Sequence, residues 1–376
     1  MSTTIRRNPR GSEEQPRPTL TYGDEFGPYI ITGFAGCGAT SYVYRARRRD
    51  RFEPVAIKVL HPHLVADPTR RLRFYREARI MMRMQHPNVV RFEEIIEDGT
   101  TLAFVMEYVD GVTLQQWRQQ HEQEIDEVTL ACVFVDILRG VTAAHREGVV
   151  HRDLKPGNIL ITEVQGRSVA KIIDFGVAKF VDEPLTDQEK SKIIGTAAYV
   201  SPEEVGSPDL VCQASDLYSI GVMLYEAACG RRPFDGGDIR ELLKDHVRRQ
   251  PDRPRHLNPE VSPGLEEVIM RTLDKRPEER FGSAPEMIGA LEWALQQPWE
   301  AMDEIDQRAP QELETTQWER PTVQMPRPAE KGRAFGGFLK RCLETAWLVM
   351  MSTGAEDGRD HRHHLNRSTR EVVPFR

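Results

Sequence analysis

The stretch His151-Arg152-Asp153-Leu154-Lys155-Pro156-Gly157-Asn158 brings a carboxylate, an ammonium and a carboxamide close together in the chain. Those groups suit phosphoryl transfer. Asp153 can accept a hydroxyl proton and orient the attacking oxygen, Lys155 can neutralise charge on the moving group, and Asn158 can hold a metal ion. Apolar, β-rich runs follow, Ile159-Leu160-Ile161 and then Val169-Ala170-Lys171-Ile172-Ile173, so the polar loop is expected to be pinned between strands. The second run ends in Asp174-Phe175-Gly176: an acidic ligand at the end of a buried strand, then a glycine that lets the backbone turn.

Taken together, these motifs resemble the catalytic loop and metal-binding motif of eukaryotic-type serine/threonine protein kinases of the bacterial-like branch. The resemblance spans about Tyr29 to Pro298. It implies an α+β, protein-kinase-like bilobal fold, with a small β-rich N-lobe carrying one regulatory helix and a larger helical C-lobe. It also implies transfer of the γ-phosphoryl group of ATP to Ser or Thr hydroxyls of protein substrates, with Mg2+ bound by Asn158 and Asp174 and Mn2+ as the alternative ion.

Upstream, Gly36-Cys37-Gly38-Ala39-Thr40-Ser41-Tyr42-Val43 sets glycines between two strands, where backbone amides can approach phosphate oxygens. A glycine-bearing hairpin turn is the plain alternative. In context the stretch resembles the kinase glycine-rich loop, with Ser41 at the third glycine position; serine is small and can still donate to a phosphate. Cys37 is either a redox-sensitive thiol or an inert filler. Val55-Ala56-Ile57-Lys58 resembles the strand whose lysine pairs with nucleotide phosphates. From Pro68 to Gln85, Leu72, Tyr75, Ala78, Met81 and Met82 recur at helical intervals, and Glu77 on that helix is expected to hold Lys58. Its alternative is a solvated glutamate, and rotation of the helix is the expected on/off device.

Alternating apolar residues predict strands at Val89 to Ile96 and Leu102 to Glu107, joined by a turn at Asp98-Gly99. By resemblance, Met106 walls an adenine pocket, backbone groups of Glu107 and Val109 meet the adenine edge, and Val43, Ala56 and Leu160 sandwich its ring. Met81, Phe92, His151 and Phe175 resemble the stack that joins the lobes.

The second half reads as mainly helical, with a long amphipathic helix from Val128 to Glu147 ending at Gly148. Gly195-Thr196-Ala197-Ala198-Tyr199 leads into Ser201-Pro202-Glu203, where Glu203 is expected to bind Arg280. Asp216 resembles the residue whose carboxylate holds the catalytic-loop backbone. Thr196, placed by resemblance to bond Asp153 and Lys155, marks the serine/threonine type. Arg152 supplies a cation that a phosphate in the activation segment can neutralise; Thr186 and Ser191 are the candidate sites, phosphorylated in trans within a transient pair of copies. Gly157 sits where arginine-directed kinases carry an acid, so no strong basic substrate preference is expected.

A chain of 376 residues, 39% of them hydrophobic, is long enough for this domain with extensions. The formal charge of -7 argues against general nucleic-acid binding. Five scattered cysteines suit a reducing cytoplasm. Met1 to Arg10 lacks a signal-peptide core and no run of about twenty apolar residues is present, so the chain is expected to be soluble, cytoplasmic and without a transmembrane span. Composition marks a flexible tail (1–27), a linker (299–332), an amphipathic helix (333–351) and a second flexible tail (352–376), and the resemblance implies an N-lobe (28–107) and a C-lobe (108–298) between them. The helix carries Phe335, Phe338, Leu339, Leu343 and Trp347 on one stripe; it can lie on a membrane surface, bind a partner or dock on its own protein, and the last is the expectation. His361, His363 and His364 read as a solvated tail. Two rivals remain: a nucleotide-responsive scaffold without transfer, disfavoured by intact Lys58, Asp153, Asn158 and Asp174, and a small-metabolite kinase, disfavoured by the Gly195 to Glu203 motifs.

Overall fold

The computed structural model describes residues 20–38, 40–98, 101–121, 125–175, 179–180, 197–236 and 238–296. Ala39, Gly176, Thr186, Ser191, Thr196 and the expected helix over 333–351 lie outside the described residues.

The upper lobe is an antiparallel sheet of β1 (Glu25–Phe26), β2 (Tyr29–Cys37), β3 (Ser41–Arg48), β4 (Pro54–Leu60), β5 (Phe92–Asp98) and β6 (Thr101–Glu107), in the order β1-β2-β3-β4-β6-β5. Alternation along β4 divides its side chains between two cores. Ala56 and Leu60 join the large core that continues into the lower lobe, whereas Val55, Ile57 and Val59 join Tyr29, Tyr42 and Tyr44 on the other face.

A short helix α1 (Pro62–Val65) leads to α2 (Pro68–Arg83). Helix α2 starts where the Asp67 carboxylate accepts from the Thr69 and Arg70 amides, with Pro68 in the first turn. Its buried face is Phe74, Glu77, Ala78, Ile80 and Met81. The sequence stripe was thus partly misplaced: Leu72 is 63% and Met82 57% exposed. The Phe74 ring packs at a tilt against Phe104, centroids 4.8 Å apart, and with this side buried Glu77 lies inward and the two expected apolar residues outward. Val89 lies outside β5 and makes a single parallel bridge to Ile172, because the chain there crosses onto the lower lobe.

Beyond β6 come β7 (Val112–Thr113), α3 (Leu114–Gln120), α4 (Glu127–Arg146), β8 (Val149–Val150), β9 (Ile159–Val164), β10 (Arg167–Ile172) and β11 (Lys179–Phe180). Strands β10, β9 and β7 form one small sheet, β11 and β8 another. The connection presses hard on β9: a Cβ on Gly111 would sit 2.3 Å from the Ile161 carbonyl, so only glycine fits. By length and composition α4 could cross a membrane, yet 61% of its apolar window is buried, with Phe134, Leu138 and Val141 in the main core. The lower lobe continues through α5 (Pro202–Gly206), α6 (Gln213–Cys229), α7 (Ile239–Arg248), α8 (Pro254–Leu257), α9 (Pro263–Thr272) and α10 (Ala284–Ala294). Helix α6 is capped by Gly230 in the left-handed conformation at φ 76°.

Candidate active site

The polar loop between β8 and β9 is held from beneath by one buried carboxylate. Asp216, near the start of α6, accepts from the His151 amide at 2.9 Å, the Arg152 amide at 2.9 Å and His145 Nε2 at 2.8 Å. Burial would raise its pKa, but these hydrogen bonds, above all that from His145, keep the carboxyl below its ordinary value. Arg152 pays for the turn with a φ of 64°, a conformation that costs a non-glycine residue roughly 1–3 kcal/mol and is fixed here by the Asp216 clamp. Asp153 directly follows this strained residue.

Around Asp153 the loop is crosslinked by its own polar groups. Lys155 Nζ lies 2.9 and 2.7 Å from the two carboxylate oxygens of Asp153. Asn158 Nδ2 donates to the Asp153 carbonyl at 2.8 Å and to Oδ2 at 3.2 Å, so the amide oxygen of Asn158 is the atom fit for a cation. The Asn158 carbonyl accepts from the Ile173 amide at 3.0 Å, which ties this loop to the segment carrying Asp174.

From the upper lobe, register aligns Val43 with Lys58 and Lys58 with Phe104, and sets Ala56 beside Met106. Lys58 Nζ pairs with Glu77 of α2 and lies 3.3 Å from Asp174 Oδ1. Burial pushes the ammonium pKa down, yet Asp174 and Glu77 outweigh it and hold it up, so Lys58 stays charged. Glu77 is pushed up to about 7 by burial, against the pull of Lys58. Asp174 is the more open partner, its side chain 37% exposed. Phe175 beside it is buried, its ring 4.6 Å from that of His151; Met81 lies in the same core and Phe92 packs on it.

The glycine turn lies between β2 and β3, with Gly36 opposite Val43 and Cys37 opposite Tyr42. Cys37 and Gly38 are exposed and Thr40 is half-buried. Ser41 is buried, so a phosphate would meet the turn's backbone rather than this hydroxyl. At the hinge Met106 is buried, and Val43, Glu107, Val109 and Leu160 are half-buried. The Glu107 amide already donates to the Arg91 carbonyl at 2.8 Å, so any backbone contact to a ligand at Glu107 falls to its carbonyl.

Residues 29–300 match the family model of the protein kinase domain. The chain belongs to the protein kinase family. It is 37% identical over 265 residues to the serine/threonine-protein kinase PkaA of Streptomyces coelicolor, covering 67% of this chain and 47% of that protein. With the serine/threonine-protein kinase PknB of Mycobacterium leprae it shares 35% identity over 272 residues, covering 70% of this chain and 42% of that protein. The chain thus spans less than half the length of these relatives. Among solved structures, the PknI kinase domain of Mycobacterium tuberculosis aligns with a TM-score of 0.56 at 26% identity, covering 73% of this chain and 99% of that one.

In the lower lobe, Glu203 and Arg280 form a two-pronged pair at 2.8 Å for each prong, and Ser215 Oγ donates to the same carboxylate at 2.6 Å. Sequence reasoning missed several groups that hold these residues in place. His145 completes the Asp216 clamp, and Lys171 Nζ reaches the Glu107 carboxylate at 2.7 Å, tying the strand before Asp174 to the hinge. Asn88 Nδ2 donates to the Ala170 carbonyl at 2.9 Å while its own carbonyl accepts from Ile172. Lys171 alone carried a local signal, as a single polar residue within the apolar run Val169 to Ile173; His145 and Asn88 stand beside other polar residues, and nothing local distinguished them.

Proposed function

We propose that this chain is a serine/threonine protein kinase that transfers the γ-phosphoryl group of ATP to hydroxyls of protein substrates. The observation that carries the reading is the 3.3 Å approach of Lys58 to Asp174, a cation from the upper lobe and a carboxylate from the lower meeting in one cleft, with Asp153 and Asn158 joined to the same segment through Ile173. In this reading Asp153 takes the hydrogen bond of the acceptor hydroxyl and aims its oxygen. Lys155, 2.7 Å from that carboxylate, neutralises charge gathering on the transferred group, and Lys58 pairs with the nucleotide phosphates. Val43, Ala56 and Leu160 give the adenine ring apolar faces, and Met106 closes the pocket behind it. Most of the rate would come from positioning and charge neutralisation.

Asn158 and Asp174 both offer oxygen. Among the described residues no cluster of three or more His, Cys, Asp or Glu side chains forms a metal cage. That donor set suits a hard ion that completes its shell with phosphates and water, Mg2+ first and Mn2+ second. When bound, the ion would neutralise phosphate charge. We further propose that Arg152 answers a phosphate at Thr186 or Ser191, added by a second copy of the chain; alanine at both positions is expected to lower the rate of the purified protein.

The decisive assay incubates the protein with labelled ATP, Mg2+ and a panel of serine, threonine and tyrosine peptides and small-molecule alcohols, beside Asp153→Asn. Transfer to serine and threonine peptides that falls about a thousand-fold in the variant is the expected result. No transfer to any acceptor, or transfer to small alcohols alone, would overturn the reading.

A further inference from the structure

The glycine-bearing turn between β2 and β3 has little packing at its described glycines. A Cβ built on Gly36 would touch nothing within 4 Å, and one on Gly38 would meet only Ser41. Among its described residues, hydrogen bonds hold the turn. The Gly38 amide donates to the Ser41 carbonyl at 2.8 Å, and two further bonds come from one residue outside it, His61.

His61 directly follows β4, three positions beyond Lys58, and is 2% exposed. Its amide donates to the Thr40 carbonyl at 2.9 Å. Its ring Nε2 lies 3.0 Å from the Gly38 carbonyl, and since a carbonyl only accepts, the ring carries its proton at Nε2. Nδ1 has no partner among the described residues, so the contact with Gly38 is the ring's single hydrogen bond. The Tyr42 ring meets the imidazole edge-on, centroids 4.3 Å apart, and fixes its plane.

We propose that His61 is a positioning residue for the triphosphate: it clips the glycine-rich turn to the strand that bears Lys58, so that the turn's amides and the ammonium keep one spacing over the phosphates. The inference rests on the reading of this cleft as an ATP site. The bond to Thr40 comes from the backbone and survives any substitution; the bond to Gly38 comes from the ring and does not. Losing it frees the tip of the turn without touching Asp153, so the effect belongs to nucleotide affinity and not to the transfer step.

The test compares His61→Phe, which keeps the ring against Tyr42 without a donor, with His61→Gln, whose amide restores a donor at similar reach. Each is read as KM for ATP, KM for the acceptor peptide, kcat, and Kd for ADP by calorimetry. For His61→Phe the expectation is a rise of roughly five-fold in both nucleotide constants, with kcat and peptide KM within two-fold of wild type and partial recovery in His61→Gln. Unchanged nucleotide constants in His61→Phe would overturn the proposal, as would an equal rise in both variants or a fall confined to kcat. Should His61→Phe fail to fold, His61→Met takes its place under the same outcomes, having the length of glutamine without its donor. If wild type itself neither binds ADP nor uses ATP, the reading of the cleft fails; if it does both and the variants match it, only the role of His61 fails.

Discussion

Lys58–Glu77 in the upper lobe and Glu203–Arg280 in the lower are both buried ion pairs, but their surroundings differ in kind. Arg280 is completely enclosed, and every donor of its guanidinium has a partner: Glu203 on two prongs, and the carbonyls of Asp274, Ala214 and Lys275 at 2.8, 3.0 and 3.3 Å. Burial would raise the Glu203 pKa, but Arg280 holds it below the ordinary value. Lys58 is a single ammonium shared between carboxylates from α2 and from the segment just beyond β10, and burial pushes the Glu77 pKa up to about 7. A planar fork with all its donors matched fixes one geometry, whereas a point charge between two acids tolerates exchange of partners. The lower pair therefore reads as a fixed foundation and the upper one as a contact that α2 can make or release.

Breaking the foundation should have the largest effect on stability. Arg280→Met leaves the Glu203 carboxylate buried without its partner and should cost about 3–5 kcal/mol in a denaturant titration. A loss below about 1 kcal/mol would show that the two pairs do not differ as described.

Next to that foundation, fully buried His246 bonds Tyr218 at 3.0 Å, and the Lys275 ammonium lies 2.8 Å from its carbonyl. Burial, reinforced by Lys275, lowers the His246 pKa from 6.5 to about 4. The unfolded chain takes up this proton near pH 6.5 and the folded chain only near 4, so stability is complete above 6.5 and is lost as pH falls toward 4. The loss is about 3 kcal/mol. Melting His246→Phe across that window should give a flatter pH profile than wild type; an identical slope would remove His246 as its source.

Upper-lobe changes should separate stability from activity. Glu77→Gln removes a carboxylate whose burial already opposes its charge, so stability should move by less than about 1 kcal/mol, while phosphoryl transfer falls about 100-fold because Lys58 loses its support. Equal damage to both would make the upper pair a second foundation. The smallest effect is expected for Lys171→Met at the hinge, where the Glu107 carboxylate is a quarter exposed and can rehydrate; roughly 0.2–1 kcal/mol is the range for such a pair. A larger loss would move the hinge into the fixed class.

The same contrast explains what could be read from the chain. Asp153, Lys155 and Asn158 lie within one short loop, where local spacing constrains how far apart they can be, and Lys58 sits on an apolar strand whose alternation turns it to the cleft with Ala56. Helix α2 was harder. A stripe of apolar residues shows that a helix has a buried side, but Leu72 and Met82 are exposed because packing against residues distant in sequence, Phe104 among them, sets the rotation. Ser41 illustrates the same limit: its type was compatible with a phosphate, but β3 buries it.

The sequence alone determined the order of the elements, the family resemblance and which residues could supply acid, base and cation, because motif spacing and side-chain chemistry are local properties. Tertiary structure decided which of them meet. His145 reaches Asp216, Lys171 reaches Glu107, and His61 reaches back to Gly38 only after the strands and helices have packed. Hydrogen bonds and ion pairs act over a few ångströms in space, and no local pattern records which distant stretches the fold will bring within that distance.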